Sequence, residues 1–287
     1  MFACAERCGP ETRRQQVKEI TGTTRLFGIL ADPIHHVKTP QRMNEHFAAI
    51  GFDGVCVPFH ARPDNLAEVV AGLRRLENLG GVIITVPHKT AILELVDDAT
   101  PVARKIGAAN VVRREADGKL VAHMLDGEGF VRGLQSAGVS PQGKSAYLAG
   151  AGGAANAIGF ALVQAGVSRL TIANRTTAKA EDLKARILSL HPGARIDVGS
   201  ADPSGHDLVV NGTSLGMKPD DALPLDASRL TPDQLVCEVI MQPKDTALLL
   251  AAKARGCKVH YGAPMLACQI ELMAQMLGVA AGEPARG

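Results

Sequence analysis

The sequence predicts a two-domain α/β protein, and three observations carry that prediction. The chain has 287 residues, enough for two domains of ordinary size. Short β-branched runs alternate with longer stretches of helical period, so crossovers should join the strands into largely parallel sheets. In mid-chain a glycine-rich turn, GAGGAA at 150–155, opens a second strand–helix–strand series of the dinucleotide-binding kind. The expected plan is an N-terminal α/β domain on a mainly parallel sheet, then a C-terminal Rossmann-like domain, with the change near Asp126.

The elements follow in order. RLFGIL (25–30), GVCVPF (54–59) and GVIITV (81–86) are short, β-branched and bounded by turn residues, which predicts strands. PQRMNEHFAAIG (40–51) and DNLAEVVAGLRRLENLG (64–80) carry apolar residues at helical spacing and end in glycine, which predicts helices. NVVRREADGKLVAHM (110–124) reads as two strands joined by a turn at Ala116, Asp117 and Gly118. A helix around Phe130–Ser136, closed by Gly138 and Pro141, connects the halves. The second series runs from a strand at Ala146–Ala149 through the glycine turn to an Ala-rich helix. A strand in SRLTIANRT (168–176) follows, then a helix around 178–190, and strands near 207–211, 235–240 and 257–261.

Composition narrows the function. Hydrophobic residues make up 46% and charged residues 21%, with a net charge of +2, a globular balance with no strong long-range field. There is no Trp and only 3% aromatic residues, which argues against a stacking platform for nucleic acid. No apolar run reaches the roughly 20 residues of a membrane span. Cysteines at 4, 8, 56, 237, 257 and 268 show neither zinc nor disulfide spacing, so no metal site is expected. The first residues turn polar quickly, unlike a signal peptide, and a cytoplasmic setting is expected. No heptad announces an interface, and the sequence is compatible with a monomer or a homodimer.

The glycine turn carries the first specific chemistry. Gly150, Ala151, Gly152, Gly153 and Ala154 lead into Ala155, matching the GxGxxA form of the dinucleotide fingerprint. Gly150 should make the tight turn, Gly152 should let backbone approach a diphosphate, and Ala155 should let helix and strand pack closely. The helix N-terminus offers unpaired N–H groups to phosphate. NAD sites place an acid about 20 residues on, but here Asn174, Arg175 and Thr176 follow the strand, with Lys179 one helical step later. Arg175 suits a 2′-phosphate, so NADP is expected, with NAD the other cofactor such a loop accepts.

In the first half, ITVPHKT (84–90) places Thr85 at a strand end and Lys89 at the expected start of a helix. Strand carboxyl ends are where open α/β sheets bind ligands. A Lys opposing the helix macrodipole suggests a job other than stability. Hydride transfer to a ketone needs a proton donor of this kind. Thr39 followed by Pro40 looks like an N-cap with Pro at the first helical position.

From about Arg25 to Leu277 the chain resembles the shikimate dehydrogenase family. The resemblance rests on GILADPIHHVKTP, VIITVPHKT, GAANVV, LDGEG, GAGGAA, NRTTAKAEDL, NGTSLGM and GAPMLACQIEL, in that order and spacing. It implies a substrate domain over 1–125, with 263–287 packing back onto it, and an NAD(P)-binding Rossmann domain over 126–262. It implies reversible, NADP-dependent reduction of 3-dehydroshikimate to shikimate, a step of chorismate and aromatic amino-acid biosynthesis, with Lys89 and Asp126 as the catalytic pair. Thr85, Asn110 and Gln269 would bond the ring hydroxyls, and positions 37 and 39 would meet the substrate carboxylate. Thr213 and Val239 would lie near the nicotinamide, with Gly262 giving backbone room.

The sequence departs from the family around that pocket. Two first-loop serines become Val37 and Thr39, beside His35 and His36. An Asn-Thr pair becomes Met124 and Leu125, and an Asp and a Tyr become Glu238 and Met241. Because valine cannot donate a hydrogen bond, an enzyme acting on quinate, an aminoshikimate or another cyclic hydroxy acid is the second expectation. A non-catalytic dinucleotide-sensing module is the third, which the joint presence of Lys89 and Asp126 opposes.

Overall fold

The computed structural model describes residues 19–35 and 37–279. The first sheet is built from β1 (Arg25–Ala31), β2 (Gly54–His60), β3 (Leu79–Ile84), β4 (Asp98–Ala99), β5 (Val111–Arg114) and β6 (Leu120–His123), in the order β2-β1-β3-β5-β6-β4. β1 runs parallel to β2 and β3, whereas β5 pairs antiparallel with β3 and with β6 through the expected turn. The sheet is therefore mixed, with its parallel part at the front. Its helices are α1 (Thr39–Ala49), α2 (Leu66–Arg74) and α3 (Pro101–Ile106). β4 and α3 had no expected counterpart, being too short to establish a period.

Then come α4 (Asp126–Ser136), β7 (Ser145–Ala149), α5 (Gly153–Gln164), β8 (Arg169–Ala173), α6 (Thr177–Leu190), β9 (Ile196–Gly199), β10 (Leu208–Asn211), β11 (Leu235–Glu238), α7 (Ala247–Ala254), β12 (Lys258–His260) and α8 (Ala263–Met276). The six strands of this second sheet are all parallel, in the order β12-β11-β10-β7-β8-β9. Strand order reverses between β7 and β10, the switch point where doubly wound sheets open a crevice. β9 and α7 were not foreseen.

Packing follows the sequence pattern. Met43 and Phe47, four residues apart on α1, are fully buried, and the Phe47 ring lies 5.2 Å from Phe27 and 5.4 Å from Phe52. β3 is buried along its whole length, as a central strand covered on both faces should be. α8 returns to the first sheet. Its Ile270, Leu272 and Met273 share one core cluster with Phe27, Met43 and Phe47. α6 is tied to the front half by Arg186, whose Nη1 donates to the carbonyls of Lys105 at 2.9 Å and Ile106 at 2.8 Å, at the end of α3.

No described helix is long and apolar enough to cross a membrane. Cys56, Cys237 and Cys257 are buried and Cys268 is partly so. Burial pushes the Cys56 thiol up to about 12. Cys4 and Cys8 lie outside the described residues.

Candidate active site

Two strand ends build the chemical centre. β3 ends at Ile84, and the chain turns through 86–90. The turn is pinned by His88, 1% exposed, whose N–H donates to Thr85 O at 2.9 Å and whose Nε2 donates to Ala61 O at 2.8 Å. Lys89 thus sits in this turn, ahead of a short 3₁₀ helix at Ala91–Glu94, and not in a helical first turn. No α-helix dipole opposes Lys89. What holds its position is a network of turn hydrogen bonds, including Ala109 N–H to Lys89 O at 2.8 Å.

Lys89 Nζ lies 2.5 Å from Asp126 Oδ2. Asp126 opens α4 and is 4% exposed. Its other oxygen, Oδ1, accepts from Asn110 Nδ2 at 2.7 Å and from Gln269 Nε2 at 2.9 Å. Asn110 is locked in turn, because its Oδ1 accepts the Leu125 N–H at 2.8 Å. Three elements thus converge on one carboxylate, and the division is clear: two amides hold Oδ1, leaving Oδ2 to the ammonium. The LDGEG segment makes room for this. A Cβ at Gly127 would lie 2.1 Å from the Ala157 carbonyl oxygen of α5, and one at Gly129 would lie 2.3 Å from Gln269 Cγ.

The glycine turn stands beside the pair. Gly150 adopts φ +113°, where a side chain would be strained, and its N–H donates to Ala173 O at 2.7 Å. A Cβ built on Gly152 meets nothing within 4 Å, so this backbone faces open space, as a diphosphate requires. One built on Gly153 would lie 4.0 Å from Lys89 Cδ, which brings the ammonium arm to the mouth of the turn.

A cleft of about 1670 Å³ runs past this turn. Among the expected site residues its wall includes Thr85, Gly150, Ala151, Gly152, Gly153, Ala154, Asn174, Arg175, Thr176, Lys179, Thr213 and Val239. Lys89, Asp126, Asn110 and Gln269 are not among the residues lining it. Arg175 and Lys179 are exposed cations with no ion pair among the described residues, while Asn174 Nδ2 bonds Thr176 O at 2.9 Å and shapes the loop that carries Arg175. A glycine turn open to the cleft and two uncommitted cations after β8 together fit a phosphorylated dinucleotide. Gly262 does not line the cleft. A Cβ there would lie 2.8 Å from the carbonyl oxygens of both Val239 and Ile240, so it seats the start of α8 against that backbone.

Two first-loop expectations change. Thr39 is the first residue of α1 and Lys38 occupies the cap position, so Pro40 is second in the helix and the Thr39 hydroxyl makes no capping bond. Val37 is half-buried and packs on the Phe27–Met43 cluster. Neither Val37 nor Thr39 lines the cleft, whereas Lys38, Arg42 and His46 do. His35 is exposed, and His36 lies outside the described residues. Met124 and Leu125 belong to the core, and Met241 lines the cleft.

Sequence reasoning missed a polar relay behind Thr213 and Val239. Glu238 is fully buried and accepts from Asn211 Nδ2, Thr246 Oγ1 and the N–H groups of Val239 and Ile240, at 2.9–3.1 Å. Burial raises its pKa above the ordinary carboxylate value, against the pull of these donors. Asn211 Oδ1 in turn accepts from Thr213 N at 3.0 Å and Thr213 Oγ1 at 2.7 Å. The relay fixes Thr213 at the cleft wall. Its only sequence signal was the NGTS turn after a buried strand, because partners 27 residues apart leave no local pattern.

A switch-point crevice with an open glycine turn, facing an ordered ammonium–carboxylate pair, defines a two-domain dinucleotide-dependent oxidoreductase. Residues 29–112 match the family model described as the shikimate dehydrogenase substrate binding domain. The shikimate dehydrogenase (NADP(+)) of Rubrobacter xylanophilus is 42% identical over 259 residues, covering 88% of this chain and 90% of that protein. Among solved structures, the 5-ketofructose reductase of Gluconobacter sp. superposes with a TM-score of 0.79 at 33% identity, covering 91% of this chain and 95% of that one. A Thermus thermophilus shikimate 5-dehydrogenase, solved with NADP(H) and shikimate, gives 0.81 at 30% identity, covering 91% and 96%. The chain belongs to the shikimate dehydrogenase family.

Proposed function

We propose that the protein reduces the ring ketone of 3-dehydroshikimate reversibly to shikimate with NADPH. The observation that carries this reading is the Lys89–Asp126 pair, 2.5 Å apart and 4.0 Å by Lys89 Cδ from a Cβ built at Gly153 of the dinucleotide turn. When bound, the reduced nicotinamide supplies the hydride. Lys89 donates a hydrogen bond to the carbonyl oxygen, which polarises the carbon, and then yields the proton that makes the oxygen a hydroxyl. Asp126 keeps the Lys89 arm in one orientation, and Asn110 and Gln269 keep Asp126 in one rotamer. Thr85 offers a ring-hydroxyl contact from the cleft wall. Arg175 and Lys179 hold the 2′-phosphate, and the Gly152–Ala154 backbone holds the diphosphate. In this reading residues 1–125 and 263–287 form the substrate domain and 126–262 the cofactor domain.

Val37 and Met241 favour a second reading, a shifted substrate such as quinate or another cyclic hydroxy acid, because both replace expected polar side chains by apolar ones. The Gluconobacter relative extends that range to a keto sugar. Steady-state assays of 3-dehydroshikimate, quinate and 5-ketofructose with NADPH or NADP+, and with NADH or NAD+, test both readings. Highest kcat/KM for 3-dehydroshikimate with NADPH is expected. Turnover of another compound alone would move the assignment to it, and turnover of none would refute it.

A further inference from the structure

We propose that Arg186 is a positioning residue for hydride transfer: it fixes the register between the Lys89–Asp126 pair and the dinucleotide turn. The inference rests on the dehydrogenase reading above. Arg186 lies on α6, is half-buried and does not line the cleft. Each nitrogen of its guanidinium has a partner. Nη1 donates to the carbonyls of Lys105 and Ile106 at 2.9 and 2.8 Å, closing the C-terminal end of α3. Nε donates to Asp182 Oδ2 at 2.8 Å, one turn earlier on α6, which aims the fork. Nη2 reaches Asn156 of α5. A guanidinium only donates, so the amide oxygen of Asn156 must face it. In that orientation Asn156 Oδ1 accepts from Nη2 at 3.2 Å, and Nδ2 donates to Ala151 O at 3.3 Å.

Each end of this strut stops beside a part of the site. After Ile106 the chain turns at Gly107, φ +73°, and Ala109 N–H then donates to Lys89 O at 2.8 Å. The next residue, Asn110, donates to Asp126 Oδ1 at 2.7 Å. At the other end, Ala151 belongs to the glycine turn and lines the cleft. The apolar contacts nearby cannot set this register. Ala103 and Ile106 of α3 share a core cluster with Ile158 of α5 and with Leu183 and Ile187 of α6. That burial holds the two halves together, but it has no direction, and a small slide of one half on the other costs it little. The planar fork of Arg186 does have direction, and a lysine's single ammonium could not match it.

Single turnover tests it, by following NADPH absorbance after the NADPH-loaded protein meets saturating 3-dehydroshikimate. The rate reads the register of hydride and ketone, whereas the amplitude counts competent molecules. Arg186→Met keeps an apolar stem and removes the donors. Its rate should fall about 10- to 100-fold, the worth of a small misplacement of reacting groups. NADPH affinity and the half-saturating 3-dehydroshikimate concentration should stay within about threefold of wild type. Arg186→Lys should fall between the two. Asn156→Ala cuts the same strut at its other end, so the double variant should be no slower than the slower single one. A lowered amplitude at the wild-type rate would make Arg186 a stabilising residue only and overturn the inference. Rate losses that multiply in the double variant, or affinities that fall as far as the rate, would overturn it too. If wild type reduces 3-dehydroshikimate and Arg186→Met matches it in rate and amplitude, the inference alone fails. If wild type does not reduce 3-dehydroshikimate, the proposed function falls and takes the inference with it.

Discussion

Asp126 is held by three side-chain partners, and each can be removed singly. Asn110→Ala or Gln269→Ala leaves one amide on Oδ1 where there were two. The carboxylate then rotates away from Lys89, and kcat should fall about tenfold with little change in NADPH affinity. Equal kcat in both variants and wild type would show that the amides serve the substrate alone. Gly129→Ala reaches the same bond by another route, because its Cβ would intrude to 2.3 Å from Gln269 Cγ. It should cost about 1–3 kcal/mol of stability in urea unfolding and lower kcat together. Glu238 is a different case. Glu238→Ala removes the acceptor of one Asn211 amide N–H, the Thr246 hydroxyl and two backbone N–H groups, leaving Asn211 its bond to Leu215 O, and should cost about 2–4 kcal/mol. These residue-level ties were only partly legible in the chain. The resemblance named Lys89, Asp126, Asn110 and Gln269 but gave the two amides to the ring hydroxyls. Their bonds to Asp126 join residues up to 143 positions apart, which no local pattern records.

At the scale of elements, the strand, glycine turn and helix at 145–164 fall where the sequence put them because their pattern is local. A tight turn, a close backbone approach and a helix start within six residues leave a fixed residue pattern. Gly150→Ala tests it: at φ +113° the new Cβ would be strained and 3.0 Å from Thr213 Cγ2. The loop should shift, costing about 1–2 kcal/mol, and NADPH affinity, read by fluorescence quenching, should fall about tenfold or more. Unchanged affinity would remove the turn from the cofactor site. Arg175→Ala should weaken NADPH by about tenfold or more and NADH hardly at all. The helix boundaries fared less well. Lys89 precedes a 3₁₀ turn, since a short Pro-preceded segment cannot be told from an α-helix start by period alone, and Thr39 lies inside α1 with Lys38 at the cap.

For the molecule as a whole, alternating strand and helix patterns gave the two α/β units. They could not show that β5 would run antiparallel, because direction is decided by a two-strand excursion through β5 and β6. Those patterns also could not show that α8 would close the first core; only the family resemblance implied it, since the contacts join residues far apart in the chain. Global stability should carry a histidine signature. His123 and His260 are buried, and each has an Nε2 with no hydrogen-bond partner. Burial lowers both below the ordinary value of 6.5; for His123, Arg113 adds to the lowering and Glu115 partly offsets it. A histidine depressed in the fold binds fewer protons folded than unfolded, so its contribution is complete above about pH 6.5 and is lost as pH falls toward its folded value. Glu238 acts oppositely: its raised pKa favours the fold as it protonates. Thermal unfolding from pH 8 to 5 should therefore show a smaller loss in a His123→Leu, His260→Leu protein than in wild type. Parallel profiles would refute that assignment.

The central claim is that an ammonium held by Asp126 gives its proton to a carbonyl at the edge of the glycine turn. It is tested most directly by the kcat of Lys89→Met with 3-dehydroshikimate, measured alongside the NADPH dissociation constant of the same protein. The expected result is a kcat lowered by about 10²- to 10⁴-fold, with NADPH affinity within about twofold of wild type. A variant that turns over within a few-fold of wild type would contradict the claim.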